Sequence, residues 1–367
     1  MKKVIALILA LVMLIVLVGC SKTETPVDTT QTETSAAETA ATTESTEEAA
    51  EPAAESKGYK IGFSNYSIGN SFRVQMEEEF KAHADALKEQ GVVSEYIMVN
   101  ADGDVSKQIA DMRDLINSGV DAILISAASP SALSPVCEEA EQAGIKVIAF
   151  NEVVDTDNIT CKLEQDENQY GTIGAEWLVE QLSGKGNVVC LNGVAGANVD
   201  IVRTTAYQNV FKSYPDIKVL SEVCTDWDYA KSKEAIQTLI SAYGDQIDGV
   251  YCQGGAQAQA VIDAYTEAGM DLVPVTGEGN NGFLKVWEAN LGKGFTSVAP
   301  ASATYVSAQA LNLAIDALNG KEIKAHVWCD MPIITNDNLM DYVRDDLPDS
   351  YWNATWLTET QLQAIYG

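Results

Sequence analysis

Fifteen residues near the start of the folded part carry the first usable chemistry: Tyr59-Lys60-Ile61-Gly62-Phe63-Ser64-Asn65-Tyr66-Ser67-Ile68-Gly69-Asn70-Ser71-Phe72-Arg73. They read as a buried strand at Ile61–Phe63, a polar loop, and a helix start. In open α/β sheets ligands sit outside the carboxyl ends of the strands, so this loop faces the expected site. Asn70, Phe72 and Arg73 place an amide, an aromatic face and a permanent cation on it. Such a set can hydrogen-bond to and stack on a small polyhydroxy molecule. Many βα units end in polar loops, so the elements around it must carry the rest.

Those elements alternate. Helix patterns at 72–90, 105–117, 130–143, 170–182, 202–213, 230–243, 256–268, 282–290 and 304–318 separate short apolar runs such as Ala122-Ile123-Leu124-Ile125, Val147-Ile148-Ala149-Phe150 and Val188–Leu191. Continuous aliphatic runs are what strands buried on both faces look like, which predicts parallel sheets. Gly91, Gly119, Gly144, Gly184 and Gly269 stand where left-handed helix caps are expected. The last stretch is a tail rich in Trp and Asp. The fold class is α/β, with two doubly wound parallel-sheet lobes side by side, which the roughly 300 residues after Gly58 can supply.

The N-terminus reads differently. Lys2 and Lys3 precede an apolar run from Val4 to Val18, and Leu17-Val18-Gly19-Cys20 follows. A basic start with a short apolar core predicts a signal peptide over 1–19. The last four residues resemble a bacterial lipobox, which implies lipidation of Cys20, anchorage to the outer face of the cell membrane, and export. The other reading is an uncleaved anchor with an incidental cysteine. Residues 20–57 are almost entirely Thr, Ala, Glu, Ser and Pro with no aromatic, which predicts a disordered acidic tether.

The charge balance, 23 Lys and Arg against 53 Asp and Glu for a net −30, excludes nucleic-acid binding through clustered cations. Six cysteines lie in the folded part, Cys137, Cys161, Cys190, Cys224, Cys252 and Cys329, and no spacing is a CxxC, so neither a metal knuckle nor a redox pair is indicated. Cys190 and Cys252 fall inside strand-like runs and are expected to pack as small hydrophobes. His83 and His326 are isolated, which leaves a histidine triad or metal cluster little to work with. Asp102 and Asp104 are expected to cap the next helix, because the distal glutamate of a calcium loop is missing. Gly193-Val194-Ala195-Gly196 is only a weak echo of a dinucleotide turn. No metal and no cofactor is expected.

Several segments, in order, carry a family resemblance: the Ser67–Arg73 loop, Gly119–Ile125, Ala143–Phe150, Asp166 with Tyr170 and Gly171, Asn192–Gly196, Thr225-Asp226-Trp227-Asp228, Gln253-Gly254-Gly255 and Thr276-Gly277-Glu278. From about Tyr59 to Met331 the chain resembles the ribose-type periplasmic sugar-binding proteins, the receptors of ABC sugar importers, with the type I periplasmic-binding fold. The resemblance implies two lobes joined by three hinge crossings, near 163–165, 299–302 and 328–331, with the ligand between them. It assigns 58–163 with 300–328 to the first lobe and 164–299 with 329–367 to the second. It also implies a sugar-like ligand, a membrane permease as partner, a monomer and no catalysis.

Carried over by position, Asn70, Phe72 and Arg73 match first-loop contacts, Arg203 a cationic contact and Trp227 a ring that packs on the sugar; Gln253 matches a polar contact. Where ribose binders have Asp-Arg after the fourth strand, this chain has Asn151-Glu152. Where they have a polar residue after Gln253, it has Gly254, and Glu278 is the nearest carboxylate to a displaced acid. Ribose itself is therefore in question, while the class stands. Three of these residues also have a plainer reading: Arg73 as a solvated charge, Trp227 as surface packing, Arg203 as the ion partner of Asp200. Two other functions stay open, a sensor that hands its closed form to a membrane partner and an exported hydrolase using Asp or Glu pairs.

Overall fold

Alternating apolar runs and amphipathic helices build two sheets. The computed structural model describes residues 58–367; the expected signal peptide, Cys20 and the acidic tether lie outside the described residues. In the first half the order is β1 (Tyr59–Asn65), α1 (Ser71–Glu89), β2 (Val93–Asn100), α2 (Val105–Asn117), β3 (Ala122–Ser126), α3 (Pro130–Gln142), β4 (Lys146–Phe150) and β5 (Cys161–Glu164). The second half runs α4 (Glu167–Gln181), β6 (Gly186–Asn192), α5 (Asn198–Lys212), β7 (Ile217–Cys224), α6 (Tyr229–Tyr243), β8 (Gly249–Cys252), α7 (Gly255–Ala268), β9 (Val275–Thr276), α8 (Asn281–Leu291) and β10 (Ser297–Pro300). Then come α9 (Val306–Leu318), β11 (His326–Trp328), β12 (Ile333–Thr335) and α10 (Glu359–Tyr366).

The first sheet has strand order β11-β5-β4-β3-β1-β2 and the second β12-β10-β9-β8-β6-β7. Every pair is parallel except β10 with β12, which is antiparallel. Three strands of the first sheet, β1, β3 and β4, are buried through most of their length, as their unbroken apolar runs require. Met76, Phe80 and Ala84 recur at the four-residue helical spacing on α1 and turn onto the sheet, where Phe80 meets Phe63 at 4.4 Å between ring centroids. Asp104 caps α2 by accepting from the Lys107 N–H at 3.0 Å. Cys190 and Cys252 are buried in strands, and all six described cysteines are free.

The chain passes between sheets three times: from β5 to α4, from β10 to α9, and from β11 to β12. Helix α9 belongs with the first sheet, packing on α1 and β4. The segment after β12 touches both halves. Asn281 on α8 holds it through Nδ2, which donates to the carbonyls of Arg344 at 2.8 Å and Leu347 at 3.1 Å. Its end sets against α1 instead, where Trp356 donates its N–H to Glu79 at 3.2 Å and the Tyr366 hydroxyl donates to Gln75 at 2.8 Å.

Candidate functional site

The carboxyl ends of β1, β3 and β4 face those of β6, β8 and β9 across a cleft with an empty volume of about 600 Å³, part of it open to solvent. From the first sheet, Asn70 ends the β1 loop as the N-cap of α1, its Oδ1 accepting from the Arg73 N–H at 3.0 Å. A cation in the first turn opposes the helix dipole, so Arg73 needs partners elsewhere. It turns back toward the sheet: Nη1 donates to Asn65 Oδ1 and Ser126 Oγ, both at 3.1 Å. Its guanidinium carbon lies 3.7 Å from the centroid of Tyr66, and Nη2 stands 3.7 Å from Glu152. At 4 % exposure Arg73 is no solvated charge. Phe72, the next wall, meets the Trp352 ring edge-on at 5.2 Å.

Asn151 follows β4 at φ +60°, a left-handed turn that asparagine tolerates and β-branched residues do not. The turn swings Glu152 under the cleft, where burial pushes its carboxyl up to about 6, opposed by Arg73 and raised further by Glu167. Ala197 gives α5 no side-chain cap, and Val199 in the first turn of that helix lines the cleft together with Glu152.

From the second sheet, Arg203 projects from α5 and is equally buried. Its Nε donates to Glu167 at 2.6 Å, Nη1 to Glu278 at 3.1 Å and to the Gln253 carbonyl at 2.8 Å, and Nη2 to Ser302 Oγ at 3.2 Å. The Tyr170 ring lies 3.5 Å from its guanidinium carbon. Burial raises the Glu278 carboxyl, opposed by Arg203 and by the Ser302 hydroxyl. The Asp200 pairing considered from sequence is not made: Asp200 accepts from the Gly193 N–H at 2.7 Å, closing the turn after β6.

Trp227 closes this face. Asp226 and Trp227 both have positive φ, +57° and +55°, an unusual pair that lays the indole inward. Its Nε1–H is buried without a partner. Gly254, the departure from a polar residue, now has a physical reason: a Cβ there would stand 2.9 Å from Trp227 Cδ1.

Eight of the nine residues anticipated from sequence, Asn70, Phe72, Arg73, Asn151, Glu152, Arg203, Trp227 and Glu278, line one cleft. Gln253 does not. Its amide donates to Thr204 at 2.8 Å beneath the cleft, and its carbonyl anchors Arg203. Sequence reasoning did not single out Glu167, Ser302 and Trp352, which also line it. Glu167 sits next to Asp166, which caps α4; a second carboxylate in a helix's first turn was the one available signal. Among the described residues no group of three or more His, Cys, Asp or Glu converges to hold a metal.

Two lobes of parallel-dominated sheet, closing on a cleft walled by aromatic rings and floored by paired charges, define a two-lobed solute-binding fold. The chain belongs to the periplasmic binding protein domain family, whose model matches residues 61–322. It is 30% identical over 280 residues to a xylitol-binding protein of Mycolicibacterium smegmatis, covering 76% of this chain and 78% of that one. It is 27% identical over 228 residues to the ribose import binding protein of Bacillus subtilis, covering 62% and 72%. Among solved structures, an ABC transporter solute binding protein from Thermobispora bispora superposes with a TM-score of 0.74 at 28% identity, covering 84% of this chain and 95% of that one. These relatives are binding proteins, not enzymes.

Proposed function

We propose that this protein is the solute receptor of an ABC importer and takes a neutral sugar or sugar alcohol between its lobes. The charge balance of the cleft is the observation that carries this. Two arginines, Arg73 and Arg203, face three carboxylates, Glu152, Glu167 and Glu278, and both cations are already engaged by them. Among the described residues that line the cleft no cation is left over for an anionic ligand, whereas paired ions still offer unused lone pairs and N–H groups to hydroxyls. Phe72, Trp227 and Trp352 supply flat faces for the C–H patches of a carbohydrate. Relatives named for xylitol and ribose support the same class.

In this reading the signal peptide directs export, acylated Cys20 and the acidic tether hold the lobes near the membrane, and the closed, loaded form is handed to a permease. A thermal-shift panel of pentoses, hexoses, polyols, nucleosides and amino acids tests the ligand class. A ligand at about 100 times its Kd stabilises by about 2.7 kcal/mol. The expected result is a raised midpoint with a pentose or polyol that Trp227→Ala and Arg73→Ala abolish. A shift only with a nucleoside or an amino acid would overturn it. Uptake of the labelled ligand, lost on deleting the protein and restored by it but not by Cys20→Ala, separates import from sensing.

A further inference from the structure

The family match ends at residue 322, yet the chain continues to Gly367. Residues 336–351 are held by the second lobe. Trp287 Nε1 donates to Asn336 at 3.1 Å, Lys285 Nζ to the Leu347 carbonyl at 2.6 Å, and the Gly282 N–H to the Asp349 carbonyl at 3.0 Å. From Trp352 onward the partners change. The Trp352 N–H and C=O are both bonded by the side-chain amide of Gln75 on α1, each at 2.9 Å. The Ala354 carbonyl accepts from the Thr304 N–H at 3.0 Å. Thr355 and Trp356 donate to Glu79, and the Trp356 ring stacks on Tyr305 at 4.6 Å with 1° between planes.

Gln75 and Glu79 are buried polar groups on α1 beside Met76 and Phe80, and burial raises the Glu79 carboxyl, opposed by these donors. Groups like these are costly to bury unless something satisfies them, and residues 352–356 do so. At the changeover, Trp352 also forms a bridge to Asn280 in the second lobe. Its Nε1 donates to Ser71 at 3.0 Å, and its ring lines the ligand cleft beside Phe72.

We propose that residues 336–367 make a fourth crossing between the lobes, with Trp352 at the crossing as a specificity-determining wall of the ligand cleft. The wall role rests on the sugar-binding reading above; the crossing does not. Seating the strap on Gln75 and Glu79 sets where the Trp352 ring stands, so a segment outside the family match shapes what the cleft accepts.

Two measurements on the purified protein decide it. Amide hydrogen exchange needs no ligand: Gln75→Leu should speed exchange at least tenfold at Trp352 and the residues beside it while leaving 281–287 on α8 unchanged, because Gln75 on α1 bonds both the N–H and the carbonyl of Trp352. Equal acceleration at Trp352 and on α8, or at neither, overturns the crossing. Calorimetry with the pentoses, hexoses and polyols of the panel above, xylitol and D-ribose among them, then reads the wall. Trp352→Leu should weaken the sugar that binds by at least tenfold, and Trp352→Phe by less, whereas Trp356→Leu, on the strap but off the cleft, should stay within threefold. Unchanged affinity in Trp352→Leu overturns the wall. If no pentose, hexose or polyol of the panel above binds the parent protein, the sugar-binding reading and the wall that rests on it fail together, and exchange still decides the crossing.

Discussion

Gly193 is a glycine because Trp227 occupies the place of its side chain: a Cβ there would lie 2.1 Å from the indole Cζ2 and 2.2 Å from Cε2. The backbone cannot yield easily, since the Gly193 N–H is committed to Asp200. Gly193→Ala must therefore displace the ring. Overpacking of this kind costs about 1–3 kcal/mol of stability. We expect at least a tenfold loss in affinity for the neutral sugar in calorimetry, with the protein still folded by circular dichroism. Unaltered affinity would mean that the ring does not touch the ligand. Trp227→Phe keeps a ring and removes the unpartnered N–H, so its loss should be smaller.

Arg203 holds two buried carboxylates apart from one another. Removing it as Arg203→Met leaves Glu167 and Glu278 facing each other without a cation, which costs about 3–5 kcal/mol. Urea unfolding should show a midpoint far below the parent's. Adding Glu167→Gln and Glu278→Gln to the same chain should recover most of the loss, because the penalty is uncompensated charge. A triple variant as unstable as the single one would place the cost in packing instead.

Stability should rise as the solution is made mildly acidic. Burial lifts Glu152 to about 6 and Glu164 to about 7, both above the ordinary 4.5. An acid whose folded value is raised holds its proton more tightly folded than unfolded. Its contribution is fully present below about 4.5 and is lost as pH climbs through 6 to 7. Urea midpoints at pH 8 and pH 5 should differ in favour of pH 5. Glu152→Gln should shrink that difference by on the order of 2 kcal/mol. An unchanged difference in that variant would show that Glu152 is ionised in both states across this range.

The cleft should reject acids. With two cations already set against three carboxylates, ribonate should bind at least a hundredfold more weakly than the neutral sugar that binds best. Glu152→Gln removes one negative charge and should narrow the gap by competition calorimetry. Equal binding of a sugar and its acid would contradict the charge balance.

The sheets were readable where burial is two-sided: Ala122–Ile125, Val147–Phe150 and Val188–Leu191 are continuous aliphatic runs and became β3, β4 and β6. Strand β5 escaped notice because Cys161-Lys162-Leu163-Glu164 alternates charge with apolar residues, and β12 and α10 because short elements at the chain end lean on tertiary partners. The loop residues Phe72 and Arg73 could be found because a βα junction has a fixed relation to the sheet edge. Trp352 had no such marker. It is held at the cleft by Gln75, 277 positions away, and by Ser71 and Asn280, and pairing at such range leaves no local pattern.

The interleaving of the two sheets bears on how the chain reaches its folded form. The first sheet is finished only when β11 joins β5, and its covering helix α9 comes after the whole of the second half. Neither half can be completed from one uninterrupted stretch, and the contacts that finish the first are among the longest loops to close. Folding dominated by distant contacts is slow. A chain emerging from its N-terminus therefore stays open-edged until its last third appears, which keeps it threadable for longer and leaves unpaired strand edges in need of shelter in the meantime.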